Sequence, residues 1–133
     1  MVLDTSAILA ILQDDPERRK FNEAIEAAET RSLSTASFVE CSMILGSCYG
    51  SDGVRDLDLF IAKAQVTLVP VDEEQAGLAR RAFRRYGKSR HPAGLNFGDC
   101  FSYALAQALN EPLLFTGNDF NQTDIQMHPA SAA

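Results

Sequence analysis

The fold is decided by the stretch VLDTSAILAIL, residues 2–12, in which a short apolar pair, one carboxylate and a longer apolar run follow one another. Val2 and Leu3 suffice for a short buried strand, and Thr5 to Leu12 is apolar enough for a helix that follows the strand directly. Asp4 lies at the junction. A strand that leads straight into a helix predicts a parallel sheet covered by helices.

The same alternation of short strands and helices continues along the chain. Strands are predicted at 31–34, 66–69 and 113–115, with a further one at 125–127 that would close the sheet. Helices are predicted at 16–29, 37–49, 54–64, 72–86 and 97–109. Glycine and proline mark several of these boundaries. The fold class is therefore α/β, a three-layer α/β/α arrangement around a central parallel sheet of four to five short strands.

The composition fits one small globular domain. The 133 residues are 46% hydrophobic and 23% charged, which suits a single domain over 1–133 with a frayed tail at 128–133. No apolar run approaches the roughly 18 residues of a membrane span, and the opening lacks the basic stretch of a signal peptide, so we expect a cytoplasmic protein. Three cysteines without Cys-x-x-Cys spacing and two isolated histidines favour neither a disulfide framework nor a zinc site. Catalysis would have to depend on carboxylates.

Four acids lie near the ends of predicted strands. Asp4 follows the first strand, Glu40 lies in the helix after the second, Asp99 begins the helix that leads into the fourth, and Asp119 follows the fourth. Functional crevices of parallel sheets lie beyond the carboxyl ends of the strands, so we expect these acids at one end of the sheet. No basic residue lies within a helical turn or two of Glu40 or Asp99. Because unpaired buried carboxylates are costly, converging acids predict a hard divalent cation such as Mg²⁺.

Such a site suits the hydrolysis of phosphodiester bonds. One or two Mg²⁺ ions can activate a water molecule, neutralise the phosphate and stabilise the leaving oxygen. The hydroxyl groups of Thr5 and Ser6, next to Asp4, are expected to position a water or a phosphate oxygen of the nucleic acid.

Each acid also has an ordinary structural explanation. Asp4 is a good helix N-cap, Ser37 and Glu40 match a capping box, and the stretch from Asn96 to Asp99 offers a looser form of that motif. Asp119 could simply close an Asx-turn. For each acid taken singly, the structural explanation is at least as good as a functional one. The combination of four acids without a cation favours the metal site.

A basic segment interrupts an otherwise acidic chain. The net charge is −6, from 12 Lys and Arg against 18 Asp and Glu, yet residues 80–90 contain six bases and no acid: Arg80, Arg81, Arg84, Arg85, Lys88 and Arg90. A solvated helix face is the ordinary explanation of such a run. Here the arginines recur at i, i+4, which projects charge along one helix. We therefore expect Arg84, Arg85, Lys88 and Arg90 to bind the phosphate backbone of a nucleic acid.

Four blocks of sequence closely resemble the PIN domain of VapC toxins. They are VLDTSA at 2–7, TASFVE at 35–40, LNFGDC at 95–100 and LFTGNDF at 114–120. They follow one another in the family's order and at its spacings from Met1 to about Asp124. The stretch YGKSRHPAG at 86–94 is also similar to one subgroup of these toxins.

The resemblance implies a PIN-like parallel-sheet endoribonuclease, the toxin of a toxin–antitoxin pair. Such proteins are usually dimeric, cut RNA with Mg²⁺ or Mn²⁺, and are blocked by a VapB-type antitoxin whose C-terminal segment occupies the active-site groove. Asp4, Glu40 and Asp99 fall on the family's three acidic positions, with Asp4 and Asp99 foremost as metal ligands. Asp119 is the single acid of a block in which many PIN domains carry two.

Three other interpretations compete with a ribonuclease. A signalling receiver would need an acidic pair after the first strand and a lysine after a late one, whereas Asp4 stands alone and Lys88 lies in a loop. A non-catalytic module that binds RNA or a partner protein would keep the fold without the chemistry. DNA is a further candidate substrate, because metal-carboxylate chemistry does not itself select the 2′-hydroxyl.

Overall fold

Four short parallel strands form the centre of the molecule, which a computed structural model describes from residue 1 to residue 131. The strands are β1 (Val2–Leu3), β2 (Ser32–Ser34), β3 (Thr67–Val69) and β4 (Leu113–Leu114), and their order in the sheet is β3-β2-β1-β4. All three pairings are parallel, and Val2 lies opposite both Ser32 and Leu113. The predicted α/β class is confirmed.

In residues 1–131, six helices surround the sheet, and they agree with the predicted ones to within three residues at each end. They are α1 (Thr5–Leu12), α2 (Arg18–Ala27), α3 (Thr35–Tyr49), α4 (Ser51–Lys63), α5 (Glu73–Tyr86) and α6 (Phe97–Leu109). A single 3₁₀ turn follows at Phe120–Gln122. Within residues 1–131, none of the helices combines the length and the apolar character that crossing a membrane requires.

Two hydrophobic cores lie on opposite faces of the sheet and make the three layers. Successive residues of a strand point to opposite faces. Val2 and Leu113 accordingly pack into the core under α5 and α6, while their neighbours Leu3 and Leu114 pack into the core under α1 to α4. All four side chains are completely buried. This burial explains why β1 and β4 are apolar at both positions instead of alternating with polar residues.

The predicted fifth strand is reduced to one bridge, and the chain after it is anchored. Met127 pairs in parallel with Leu113, whose carbonyl accepts from His128 N at 2.9 Å. The Ser131 hydroxyl donates to the same carbonyl at 3.0 Å and accepts from Phe115 N at 3.2 Å. These bonds attach residues 128–131 to the end of β4, where a frayed tail was expected. Residues 132–133 lie outside the described residues.

Helix α3 differs from its prediction at its start and on its outer side. It begins at Thr35 because Ser34 caps it, with the Ser34 hydroxyl accepting from Ala36 N at 3.2 Å. Its outer side is apolar but not buried, since Val39 is 53% exposed and Met43 is 66% exposed. The nearly continuous apolar run of residues 37–49 predicts a buried helix, but α3 is buried on one side only. One face packs against the sheet and α4, and the other meets solvent.

Candidate active site

Asp4 joins the sheet to the first helix. Its backbone N–H donates to Leu114 O at 3.0 Å, and its Oδ2 caps α1 by accepting from Ser6 N at 3.0 Å. The Ser6 hydroxyl donates to the same Oδ2 at 2.6 Å and accepts from Thr116 N at 3.1 Å. Asp4 is only 4% exposed. Among the described residues, no donor occupies its other oxygen, Oδ1, which is left available for a ligand.

Glu40 is held between a hydroxyl group and a glycine. The buried Thr5 Oγ1 donates to Glu40 Oε1 at 2.6 Å. On its other side the carboxylate lies against the backbone of α6 at Gly98, where an added methyl group would be only 2.7 Å from Oε1 and 2.6 Å from Cδ. Both distances are far inside van der Waals contact. The absence of a side chain at position 98 therefore lets Glu40 approach the first turn of α6.

The capping-box explanation of Glu40 is wrong. Helix α3 begins two residues before Ser37, so neither Ser37 nor Glu40 is at a capping position. The Ser37 hydroxyl instead pairs with the Ser102 hydroxyl at 3.2 Å in the interior. This change of register leaves the Glu40 side chain free to point toward the other acids.

Asp99 completes a capping box at the start of α6. Asp99 N donates to Asn96 Oδ1 at 2.9 Å, and Asp99 Oδ2 accepts from Asn96 N at 3.1 Å. Burial, followed by the charge of Asp4, raises the pKa of Asp99 to about 7; Asp119 and Glu40 raise it further, and the bond from Asn96 opposes them. The capping and metal-binding interpretations are therefore compatible, since one carboxylate oxygen serves the cap.

Asp119 lies on the exposed side of the same group. It precedes the 3₁₀ turn, but its side chain does not cap that turn. Partial burial and then the charge of Asp4 raise the pKa of Asp119. Asp119 is therefore close enough to Asp4 to be affected by its charge, as expected for a residue that follows β4. Within residues 1–131, its side chain makes none of the hydrogen bonds that an Asx-turn requires.

The two hydroxyl groups next to Asp4 have internal partners. Thr5 donates to Glu40, and Ser6 connects Asp4 with Thr116 N. This differs from the expectation that both position a water or a phosphate oxygen. Hydroxyls that orient carboxylates are already committed, so Thr5 and Ser6 shape the site without being free for a nucleic acid.

The acid group lacks a protein cation. In residues 1–131, no ion pair joins Asp4, Glu40, Asp99 or Asp119 to a basic side chain. Over the same residues, no three His, Cys, Asp or Glu side chains are arranged so that they could together hold a metal ion. The expected three-ligand set of Asp4, Glu40 and Asp99 is therefore not a closed cage. This open arrangement suits Mg²⁺, which keeps several waters and needs only one or two carboxylates.

The predicted nucleic-acid residues lie on the outside of α5 and in the loop after it. Arg84, Arg85, Lys88 and Arg90 are all exposed. Arg85 pairs with Asp124 at 3.5 Å and lies 5.0 Å from the Tyr86 ring centre, and Arg90 lies 5.7 Å from the Phe83 ring centre. They do not enter the acid group. Arg85 lies next to α6, because its partner Asp124 also accepts a hydrogen bond from Tyr103 of that helix.

Several residues of the site had no clear sign in the sequence. Gly98 precedes an acid at a helix start, and that position alone could have drawn attention to it. Thr116 acts through its backbone N–H, which no residue type reveals. Asp124 accepts from the Tyr103 hydroxyl at 2.5 Å and pairs with Arg85, a contact between segments far apart in the chain.

Two of the three cysteines are buried packing groups. All three are free, and Cys41 and Cys100 are buried beside Glu40 and Asp99. Burial is the main reason that the pKa of Cys41 is raised to about 12 and that of Cys100 to about 11. Both side chains are therefore neutral packing groups and contribute no charge to the acid group.

Comparison with known proteins agrees with this geometry. The model of the PIN domain matches residues 1–126. The chain belongs to the PIN-domain family. Ribonuclease VapC30 of Mycobacterium tuberculosis is 51% identical over 125 residues, which cover 94% of this chain and 95% of the relative. Membership of this family excludes the signalling-receiver interpretation.

Solved structures share the fold of this PIN domain. The crystal structure of VapC20 of Mycobacterium tuberculosis, described as a toxin that cleaves the sarcin-ricin loop, superposes with a TM-score of 0.75 at 15% identity and covers 93% of this chain and 95% of its own. A toxin–antitoxin complex from Klebsiella pneumoniae contains a chain with a TM-score of 0.69 at 17% identity, covering 99% and 94%. The predicted three-layer PIN-like architecture is confirmed.

We expect Gly98→Ala to weaken Mn²⁺ binding to this PIN domain by about tenfold, because the methyl group displaces the Glu40 carboxylate beside the ion. The fold should survive, since the displaced group is the end of a side chain and not backbone. Isothermal titration with MnCl₂ and circular dichroism measure both effects. Gly77→Ala is the matched control, because nothing lies within 4 Å of the added methyl group in α5. Equal Mn²⁺ affinities for the two variants would contradict the role of Gly98.

We expect Asp99→Asn to raise the melting temperature of the metal-free PIN domain at pH 8, by about 4 °C for each kcal/mol recovered. The folded-state pKa of Asp99 is raised to about 7, so its contribution to stability is full below about pH 4 and is lost as the pH rises through 7. Asparagine cannot ionise and avoids that loss. The gain should therefore be much smaller at pH 5. Calorimetry in EDTA tests this, with the exposed Asp58→Asn as control, and a gain independent of pH would refute it.

Proposed function

We propose that this chain is a toxin endoribonuclease of a toxin–antitoxin module that hydrolyses RNA phosphodiester bonds at the acid group, with Mg²⁺ or Mn²⁺. The observation that carries the proposal is that the acid group forms no ion pair with a basic side chain in residues 1–131, which leaves Asp99 without a compensating cation. Its pKa is raised to about 7 by burial and by Asp4, and further by Asp119 and Glu40. A fold that gathers four acids without a basic partner loses stability unless a cation binds there, and the resemblance to VapC ribonucleases supports the reaction.

Asp4 and Asp99 are the proposed metal ligands. Each uses Oδ2 for an internal hydrogen bond, which fixes the carboxylate and leaves Oδ1 for the ion. A divalent ion bound there would polarise the phosphate and lower the pKa of a bound water. Because two carboxylates do not fill its coordination shell, the remaining positions are open to water and to phosphate oxygens of the substrate.

Glu40 is the proposed proton acceptor. Thr5 occupies Oε1 and keeps the carboxylate in place, and Oε2, which lies against Gly98 and accepts no hydrogen bond from residues 1–131, is the oxygen proposed to take the proton of an attacking water. Asp119, on the exposed side, is proposed to position a water or a second ion. The exposed Arg84, Arg85, Lys88 and Arg90 would bind the RNA backbone on either side of the cleaved bond, where an acidic group by itself would repel it.

The proposed protein partners are a VapB-type antitoxin and a second copy of this chain. The similarity to the toxin–antitoxin complex from Klebsiella pneumoniae supports the antitoxin as a partner. The antitoxin of this chain would act by covering the acid group. The exposed apolar side of α3, with Val39 and Met43, supports a homodimer, since contiguous apolar surface of this kind favours contact between proteins. We expect the chain to act in the cytoplasm, where its three free thiols stay reduced.

We expect the purified chain, free of antitoxin, to cleave structured RNAs in Mg²⁺ or Mn²⁺ and not in EDTA. Asp4→Asn should lower the cleavage rate about 100-fold or more, because the lost metal charge is worth several kcal/mol in the transition state. Asp58→Asn, an exposed acid in α4, is the control and should cleave normally. Folded protein that binds RNA but cleaves it with neither metal would favour the non-catalytic module, and cleavage of DNA alone would change the substrate.

We expect the double change Arg84→Gln and Arg85→Gln to weaken RNA binding and to reduce the slope of log Kd against log salt by about one for each phosphate that the protein no longer neutralises. Fluorescence anisotropy of labelled RNA at several KCl concentrations measures the slope. Arg55→Gln removes an exposed charge from α4 and serves as the control. If the slope is the same with and without the two arginines, their helix face is simply solvated.

A further inference from the structure

An aromatic pocket lies between α5 and α6, outside the acid group. It is a cleft of about 420 Å³ whose lining is apolar apart from one arginine: Ala76, Ala79, Arg80, Phe83, Phe97, Cys100 and Phe101. Phe97 is 79% exposed, although it is one of the largest apolar side chains of the molecule. Its ring meets the Phe101 ring edge to face at 4.9 Å between centres. One side of the Phe97 ring is thus supported, and most of the rest of it is open.

The charge around the aromatic pocket is positive. Arg80 lines it, and the Arg90 guanidinium lies 5.7 Å from the Phe83 ring centre. No acid contributes to the lining. A ligand with both an apolar face and a negative charge matches this combination, and a nucleotide has both.

The same charge opposes a second copy of the chain as the occupant. A two-fold symmetric contact brings the same patch of both partners together, so both copies of the basic segment of α5 would lie in one interface. The segment from 80 to 90 carries six bases and no acid, and two such segments would repel each other. The apolar side of α3, which has no comparable charge, is the better surface for self-association.

The position of the aromatic pocket relative to the acid group determines which conformation of a nucleic acid could contact both sites. Phe97 and Asp99 belong to the first turn of α6, which rises only about 5.4 Å, so adjacent nucleotides can reach both. Phe97 turns toward Phe101 and α5, while Asp99 turns toward Asp4. A base bound in the aromatic pocket must therefore point in a different direction from the neighbouring phosphate bound at the acid group. Only a nucleotide that is unstacked from its neighbours can do so.

We propose that the aromatic pocket binds an unstacked base of single-stranded RNA, next to the nucleotide whose phosphate is cut. The proposal rests on the ribonuclease function proposed above and adds a substrate subsite to it. The base would stack on Phe97 with Phe83 and Phe101 around it, and Arg80 would meet the backbone. Stacking on aromatic rings accepts every base, so the subsite selects unpaired structure and not sequence.

The test measures the RNA affinity and the oligomeric state of the same variants. Asp4→Asn serves as the parent, in EDTA, so that the probe is not cut; the probe is a fluorescein-labelled single-stranded RNA of mixed sequence. Phe97→Ala and Phe97→Leu should each raise Kd about tenfold, whereas Phe97→Tyr should stay near the parent because it keeps the ring. The slope against salt should be unchanged in all three, since no charge is removed. Leu109→Ala, at the far end of α6, is the matched control.

Three results would overturn the proposal. Equal affinity of Phe97→Ala and the parent would show that the ring does not contact RNA. Retained affinity in Phe97→Leu would show that apolar bulk suffices and that stacking is absent. A parent dimer that becomes a monomer in Phe97→Ala, by light scattering, would assign the pocket to self-association. Cleavage of the probe by the unmodified chain in Mn²⁺ separates these failures from failure of the ribonuclease function, which would overturn both.

Discussion

Mutual repulsion among carboxylates at one end of a parallel sheet is the constraint on which the rest of this structure depends. Parallel strands bring the chain out of the sheet on the same side, so residues that follow different strands meet there. Asp4 and Asp119 arrive directly after β1 and β4, and Glu40 and Asp99 arrive on helices that begin at that end. The repulsion cannot be relieved by a neighbouring lysine or arginine, since no such ion pair exists in residues 1–131.

The chain tolerates this repulsion because three of the four carboxylates are fixed by hydrogen bonds. The Ser6 hydroxyl donates to Asp4, the Thr5 hydroxyl donates to Glu40, and the Asn96 backbone N–H donates to Asp99. These bonds are worth about 1 kcal/mol or somewhat more each, less than full neutralisation would give. The site is therefore arranged before the ion arrives, and the ion supplies the missing part of the free energy. Stability given up at a functional site in this way is common in enzymes.

Much of this arrangement could be predicted from the sequence because short strands followed by acids obey simple rules. The strand after which each acid falls, and nearly every helix boundary, depend on local patterns of apolar residues and caps. The errors have a different origin. Ser34 and Ser37 are equally good caps locally, and packing of α3 against the sheet decides between them. The contact of Gly98 with Glu40 and the anchoring of Ser131 join distant segments, about which local patterns carry no information.

The two-residue strands have a consequence for how the molecule unfolds. Each of the strands β1 and β4 places one side chain in the core on one face of the sheet and one side chain in the core on the other face. The two cores therefore share the same backbone. Detaching α5 and α6 would expose Val2 and Leu113 to water, and detaching α1 to α4 would expose Leu3 and Leu114. The domain must therefore open as a single cooperative unit. Slow amide exchange in both layers would then report one common free energy, that of global unfolding.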